Sequence, residues 1–259
     1  MSREEMAGLA IVFLVLLTIL IEAVAPAQVR MEAPQKFEEK PPTLKIRPSE
    51  RWMVEVYSEE KSLSELEYKP LLVMMDVAGC SVEVNSLGEG VAYRISIFKT
   101  SWSKYHYEVK LLRREDVNVL RLIARGVGLH LELNPSVVRY INMSCKGVVL
   151  EVALLDVETL SMEINALGCT MNLTLIYTQS AKNMISLDLA GSALLGRIEV
   201  PEGGSVLIKA DASSSLVDVK AEELGTIHLL SGSQVLGEAG GLEIELNCSS
   251  SMVKLNIGR

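Results

Sequence analysis

The sequence predicts an all-β protein whose body is a stacked β-repeat, a β-helix or solenoid, behind an N-terminal hydrophobic helix. An unbroken apolar run extends from Met6 to Ile21. From Trp52 onward, apolar and polar residues alternate in short runs, as they do in strands with one buried face. Pairs of runs recur at about 20 residues, the spacing of a repeat. The alternative is an antiparallel β-sandwich, whose strands also recur at short intervals.

Residues 1–27 are predicted to be a transmembrane anchor or a cleaved signal peptide. The apolar run holds about 16 residues, and a perpendicular membrane span needs about 20. Adding Ala23, Val24 and Ala25 brings the run close to that length if Glu22 lies at the interface. The competing interpretation is cleavage, since residues 25–27 read Ala-Pro-Ala, a small-residue pattern that a signal peptidase accepts.

The orientation of the chain rests on two opposing observations. Arg3 is the one basic side chain before the apolar run, and five follow it before residue 48, which by the positive-inside rule favours a cytoplasmic body. Three N-x-Ser/Thr acceptors, at Asn142, Asn172 and Asn247, favour an exported one. Together with the cysteines described below, they lead us to expect the body outside the cell membrane, as a single-pass or a secreted protein.

Residues 28–50 form a predicted tether, and residues 51–259 the extracellular β-repeat domain. The tether is rich in Pro, Lys and Glu, and Pro41-Pro42 favours an extended polyproline conformation. One short helix is expected in the body, over Glu59–Leu66 with Ser58 as its N-cap. The predicted strands cover residues 52–57, 71–77, 81–84, 92–97, 107–111, 119–124, 129–133, 148–152, 162–164, 171–177, 185–189, 197–200, 206–210, 216–219, 226–230, 242–246 and 252–257.

A recurring unit consists of an apolar strand, a break of small residues and a second apolar strand. Its clearest copies cover residues 75–84, 141–152, 162–175, 187–200, 208–219 and 244–255. One copy cannot bury its own apolar face, so the copies are expected to stack as rungs around a shared core. The residues expected to line that core are Val82, Val84, Val148, Leu150, Val152, Leu173, Leu175, Ile198, Val200, Val217, Val219, Val253 and Leu255.

The copy Leu187-Asp-Leu-Ala-Gly-Ser, followed by Gly196-Arg-Ile-Glu-Val-Pro201, resembles a known family. It is similar to the "putative adhesin" domains of bacterial and archaeal envelope proteins, sometimes called toast-rack domains, over roughly residues 71–259. The resemblance implies an envelope-facing, non-enzymatic β-repeat body, often behind a transmembrane segment. It implies roles in adhesion or envelope regulation and brings no active-site residues.

The four cysteines, Cys80, Cys145, Cys169 and Cys248, fall where small residues break the copies. Stacked copies lie about 4.8 Å apart, within disulfide range for equivalent positions. Cys145 and Cys169 lie on consecutive copies and are the favoured pair, although four cysteines allow three pairings. The alternative is that each cysteine serves as a small buried apolar residue.

Charge and motif content exclude several classes of function. A net charge of −8 and a pI near 5.1 argue against a nucleic-acid partner, which requires a basic face. Zinc is not expected, because the cysteines are isolated and no CxxC motif occurs. The three histidines, His106, His130 and His228, are isolated as well. We therefore expect no catalytic residue, no cofactor and no metal.

Three functions compete at this level. The first is an anchored or secreted, adhesin-like envelope protein that binds envelope components or glycans and is not an enzyme. The second is an accessory or sensor subunit of a membrane complex. The third is a glycan-active enzyme on a β-helix, which requires acidic or basic groups clustered across adjacent rungs. The sequence leaves the ligand and the oligomeric state open.

Overall fold

The computed structural model describes residues 53–88, 90–100, 104–179, 181–222 and 224–258. Within these ranges the chain forms 19 strands and no helix, so the all-β prediction is confirmed. The predicted hydrophobic helix, the anchor or signal peptide of residues 1–27 and the tether of residues 28–50 lie outside the described residues. Among the described residues, no helix is long and apolar enough to cross a bilayer.

The strands are short and follow one another closely. In chain order they are β1 Met53–Ser62, β2 Leu71–Ala78, β3 Ser81–Ser86, β4 Val91–Thr100, β5 His106–Arg113, β6 Asn118–Arg125, β7 Gly128–Leu133, β8 Val138–Lys146, β9 Val149–Val157, β10 Ser161–Leu167, β11 Thr170–Tyr177, β12 Asn183–Ala190, β13 Ala193–Glu199, β14 Val206–Ser213, β15 Leu216–Ala221, β16 Gly225–Leu229, β17 Gly232–Gly237, β18 Leu242–Ser249 and β19 Met252–Gly258.

Each predicted run overlaps one of these strands; β17 was missed, and β8 was predicted only as the first strand of the repeat copy 141–152. Strand β8 carries Arg139, Tyr140 and Asn142, which hide its alternation. Strand β17 begins and ends with glycine and has few apolar residues. Both are held by pairing with neighbours that are distant in sequence.

The strands form two mixed sheets. The ten-stranded sheet has the order β1-β4-β7-β3-β9-β11-β13-β19-β15-β16, and the nine-stranded sheet has the order β17-β14-β18-β12-β10-β8-β2-β6-β5. From β7 to β15 and from β14 to β6, every neighbouring pair is parallel. The antiparallel pairs lie at the ends. The antiparallel β-sandwich predicted as the alternative therefore does not describe the inner strands.

Seven strand–corner–strand units account for the parallel part of both sheets. Each unit runs along the nine-stranded sheet, turns a tight corner and returns along the ten-stranded sheet. Their spatial order is the same in both sheets: residues 118–133, 71–86, 138–157, 161–177, 183–199, 242–258 and 206–221. Only the three middle units follow chain order. At each end two units are exchanged, because the chain first forms antiparallel edge strands and then re-enters the stack.

The predicted helix over Glu59–Leu66 is wrong. Residues up to Ser62 belong to β1, which pairs with β4, and residues 63–68 form a turn. The turn is capped reciprocally: the Ser62 amide donates to Glu65 Oε2 at 2.9 Å, and the Glu65 amide donates to Ser62 Oγ at 3.2 Å. This capping signal was present in the sequence, but cross-strand pairing takes the residues before it.

The core lies on the inward positions of both sheets. In β2, alternate residues from Leu71 to Val77 are at most 3% exposed, and Val82 and Val84 continue the pattern in β3. All of the residues predicted to line a shared core are buried. They belong to one continuous cluster, so each unit covers the apolar side chains of its neighbours.

One backbone conformation recurs at every corner. The middle corner residue has a positive φ between 50° and 63° in all seven units. These residues are Gly79, Gly126, Gly147, Gly168, Gly191, Ser214 and Ser250. The left-handed turn directs the corner amide to the carbonyl of the adjacent unit; the Gly168 amide, for example, donates to Ala190 at 2.9 Å. The hydrogen-bond ladder therefore continues around the corner from one sheet to the other.

Glycine and serine should differ in stability at this corner. A side chain in the left-handed region costs about 1–2 kcal/mol. We expect Gly168→Ala to lower the free energy of unfolding by about that amount, and Ser250→Gly to raise it by up to about 1 kcal/mol. The measurement is denaturant unfolding, with Gly88→Ala as control, since a Cβ at Gly88 contacts nothing and no positive φ is involved. Equal stability of the G168A and G88A proteins would contradict the corner argument.

Candidate binding groove

A groove of about 660 Å³ lies on the outward face of the nine-stranded sheet, beside the corners. It crosses β8, β10, β12, β18 and β14 and is lined by two rows of outward side chains. The row nearest the corners contains Lys146, Leu167, Ala190 and Ser249. Leu167 is 49% exposed and supplies the largest apolar surface of that row.

The second row, which we call the polar row, is made of hydrogen-bonding side chains. It contains Asp76, Ser144, Asn165, Asp188, Asn247 and Asp211, and each is the register partner of the next across a parallel strand pair. Parallel register places successive members about 4.8 Å apart. Each member lies three residues before its corner residue, so the corner sets the alignment of the row.

Side-chain contacts close both ends of the polar row. At one end Arg125 Nη2 donates to Asp76 Oδ2 at 2.5 Å, and Arg125 Nη1 donates to the Asp76 carbonyl at 2.8 Å. At the other end Ser233 Oγ donates to Asp211 Oδ2 at 3.1 Å. Within the row Asn247 Nδ2 donates to Asp188 Oδ1 at 2.7 Å. Asn165 is half-buried, and its Nδ2 donates to Glu163 Oε1 at 3.4 Å. The groove therefore presents Ser144, the Asn165 side-chain oxygen and the remaining carboxylate oxygens to a ligand.

Two charge-assisted clusters lie on the same outward face, beyond the polar row and outside the groove lining. Lys209 pairs with Glu243 and lies 3.1 Å from Glu245. Glu163 accepts from Tyr140 Oη at 2.6 Å and from Asn142 Nδ2 at 3.0 Å. Burial and the Glu163 carboxylate raise the pKa of Tyr140, so its hydroxyl remains a donor at neutral pH.

The chemistry of the groove suits a neutral ligand rich in hydroxyl groups. Asp188 and Asp211 outnumber Lys146 along its length, so an anionic ligand meets repulsion. Amide, hydroxyl and carboxylate groups can donate to and accept from hydroxyls. The lining has no aromatic side chain, so recognition would depend on hydrogen bonds and on contact with Leu167.

No group of three potential metal ligands occurs in the described ranges. The three histidines lie on separate strands: His106 on β5, His130 on β7 and His228 on β16. His130 Nε2 is 3.4 Å from Asn85 Nδ2, and His228 Nδ1 is 3.3 Å from Asp218 Oδ1. The expectations that the protein has no metal, cofactor or catalytic residue stay predictions.

The structure places the four cysteines in two different positions of the unit. Cys80 and Cys169 directly follow the corner residue, whereas Cys145 and Cys248 lie two residues before it, on β8 and β18. Cys145 is the register partner of Ala166, so Cys145 and Cys169 are not equivalent as the copies suggested. All four are buried thiols in the structure. The Cys145–Cys169 disulfide stays a prediction, without the equivalence that motivated it.

Serine and cysteine share one role after the corner. Ser192 Oγ donates to the carbonyls of Ala190 and Ala166 at 3.1 and 3.2 Å. Cys80 Sγ makes the same two kinds of contact, to Ala78 at 3.0 Å and Ala124 at 3.2 Å. The serines also accept from the next unit's amide, as in Ser192 N to Ser251 Oγ at 3.2 Å. These buried side chains satisfy backbone groups at the corner.

The two strand cysteines should be unreactive in the folded protein. Burial raises the pKa of Cys145 to about 12 and that of Cys248 to about 11, so little thiolate exists at neutral pH. We expect both to resist iodoacetamide in native protein, to react faster as the pH rises toward those values, and to react fully once the protein is unfolded and reduced. Peptide mass mapping gives the extent of labelling at each cysteine.

The same mapping tests the disulfide. In unfolded, unreduced protein a Cys145–Cys169 bridge would leave both sulfurs unlabelled and the peptides joined. Rapid labelling of Cys145 in native protein at neutral pH would contradict its burial. Unfolded protein labelled after reduction, in which all four thiols are available, is the control for reagent activity.

The three predicted glycosylation acceptors lie on strands at outward positions. Asn172 on β11 and Asn247 on β18 are exposed. Asn142 on β8 is half-buried, and its amide donates to Tyr140 and Glu163. Glycosylation of these residues stays a prediction. Asn172, which is exposed, has a more accessible amide than Asn142, which is half-buried.

The polar row was missed in the sequence, although a signal for it exists. Asp, Asn or Ser occurs three residues before the corner in six of the seven units, and Ile123 takes that place in the seventh. Recognising the signal requires knowing the corner residue of each unit. In two units that residue is serine, which sequence patterns do not mark as a turn with positive φ.

Comparison with known proteins shows a fold and no family. No protein-family model matches the chain, and none of the curated proteins matches its sequence. The crystal structure of a "putative cell adhesion protein" from Clostridium sporogenes has a TM-score of 0.51 at 13% identity, covering 78% of this chain and 98% of that chain. A "putative adhesin" from Bacteroides fragilis has a TM-score of 0.29 at 7% identity, covering 80% and 97%.

The Clostridium protein shares the fold, and the Bacteroides likeness is too low to carry an argument. At 13% identity the Clostridium likeness shows a shared fold and no shared role. The toast-rack domain itself is not matched by a family model.

Proposed function

We propose that this chain is an adhesin-like, non-enzymatic protein of the cell envelope whose β-repeat body binds glycans or other hydroxyl-rich envelope components through the polar row. The observation that carries the proposal is the alignment of Ser144, Asn165, Asp188, Asn247 and Asp211 on one open face. Such a row offers equivalent contacts at regular steps, which suits a ligand made of repeated units.

The β-repeat interpretation is part of this proposal. Its support is the sharing of one corner conformation and one parallel register by seven units. A stack of this kind exposes a broad, regular face while its core remains continuous. The fold shared with the Clostridium sporogenes protein supports the adhesin-like assignment only at the level of architecture.

The proposed location is outside the cell membrane, with residues 1–27 acting as anchor or as a cleaved signal. The apolar run and the Ala-Pro-Ala sequence at 25–27 support it. If residues 1–27 are retained as an anchor, the tether of residues 28–50 connects the β-repeat body to the membrane.

Glycan binding tests the proposed role of the groove. We expect the labelled full-length protein to bind neutral glycans on an array and not acidic ones, because the groove is acidic. Asn165→Ala should weaken binding by about fivefold to tenfold, the value of one hydrogen bond. The matched control is Asn256→Ala, an exposed asparagine on the ten-stranded sheet. No retained glycan, or equal binding by both variants, would count against the groove.

Topology is tested on intact cells. We expect external protease to digest residues 51–259 without lysis, because the body is proposed to lie outside. Sequencing the mature N-terminus then separates a retained anchor, which begins near residue 1, from cleavage before Gln28. A body that is digested only after lysis would contradict export, and a cytoplasmic marker protein controls for leakage.

A further inference from the structure

The two ends of the stack differ in how their edge strands are protected. One end exposes the edges of β1 and β5, and the other those of β16 and β17. A free edge has unpaired amides and carbonyls that can pair with another strand, and proteins normally block it with charges or bulges. The comparison between the two ends shows which of them is open.

The β1/β5 end carries both kinds of protection. Strand β1 has register shifts after Glu55 and Lys61, and its Glu60 pairs with Arg94 at 2.7 Å. Strand β5 holds the ion pair of Glu108 and Lys110. Charges and bulges together oppose the addition of a further strand at this end.

The β16/β17 end has no register shift, and the one titratable side chain of residues 225–237 is His228, 3.3 Å from Asp218 Oδ1. From Gly225 to Gly237 the sequence has no Lys, Arg, Asp or Glu. Strands β16 and β17 pair with β15 and β14 without register shifts, and in the described ranges no further strand pairs with them. Leu230 is 71% exposed and Val235 is 62% exposed, among the most exposed large apolar side chains of the described residues.

We propose that the β16/β17 edge is a homotypic interface, at which a second copy of this chain adds its own β16 and β17. A two-fold axis pairs each strand with its own equivalent in antiparallel orientation, which extends both sheets at once. Each copy carries a net charge of −8, so two copies approach best where the surface is uncharged. Val235, on the outward side of the edge strand, is covered in the dimer.

A second copy fits this edge better than the chain's own tether does. Residues 28–50 contain Pro34, Pro41, Pro42 and Pro48, which lack the amide that an added strand must donate. The segment 225–237 has no proline, so each of its residues can donate. The proposal does not rest on glycan binding. Strand β17 adjoins the end of the polar row, where Ser233 donates to Asp211, but the dimer uses the unpaired edge of β17 and not the groove.

Sedimentation equilibrium of full-length protein in a nonionic detergent tests the interface. We expect a reversible dimer, and we expect Val235→Lys to weaken it at least about tenfold, because each copy then brings a cation in place of an apolar side chain to the interface. Leu112→Lys on β5, at the opposite end, is the matched control, since Leu112 is 44% exposed on an edge strand. Monomeric wild-type protein, or equal dimerisation by the V235K and L112K proteins, would overturn the proposal.

Hydrogen exchange of the wild-type protein gives a test without any variant. Amides of residues 225–237 should become more protected as protein concentration rises over about a hundredfold range, because mass action populates the dimer. Amides of β5 should not change. Protection of 225–237 that is independent of concentration would indicate cover from within the same chain and would reject the second copy.

Discussion

The structure depends on the left-handed corner residue of each unit. A corner that interrupted the backbone ladder would leave amides and carbonyls unpaired at every turn of the stack. The positive φ at residues such as Gly168 instead directs the corner amide to the adjacent unit. The units are thereby aligned in the same order in both sheets. Each row of side chains that crosses neighbouring strands has the same alignment.

Both faces of the sheets follow from this alignment. Inward, alternate apolar residues of each strand meet those of the next unit and form one core. Directly after the corner, a buried serine, cysteine or valine fills the turn, and the serine and cysteine hydroxyls and thiols satisfy nearby carbonyls. Outward, the same register brings the hydrogen-bonding residues three positions before six of the seven corners into the polar row. The core and the groove are therefore two results of one backbone geometry.

The exchange of units at both ends has a different origin. A stack built strictly in chain order would leave a parallel edge strand open at each end. Here the chain forms the antiparallel strands β4 and β5 before unit 118–133, and β16 and β17 before unit 242–258. The last unit then lies between 183–199 and 206–221, so the C-terminal strands are paired on both sides. Antiparallel strands close both ends, but only the β1/β5 end has bulges and charges as well.

The sequence by itself determined most of the strands and the core residues named from it. Alternation is a local property, so the residues of β2 or β11 show which side chains face the core without reference to their neighbours. The order of the units was decided only by the tertiary structure, because an apolar strand carries no information about which equivalent unit it joins. The non-equivalence of Cys145 and Cys169 was hidden for the same reason, since it depends on the corner position. Cross-strand pairing with β4 also decided that residues 59–62 form a strand, against a local pattern that favours a helix.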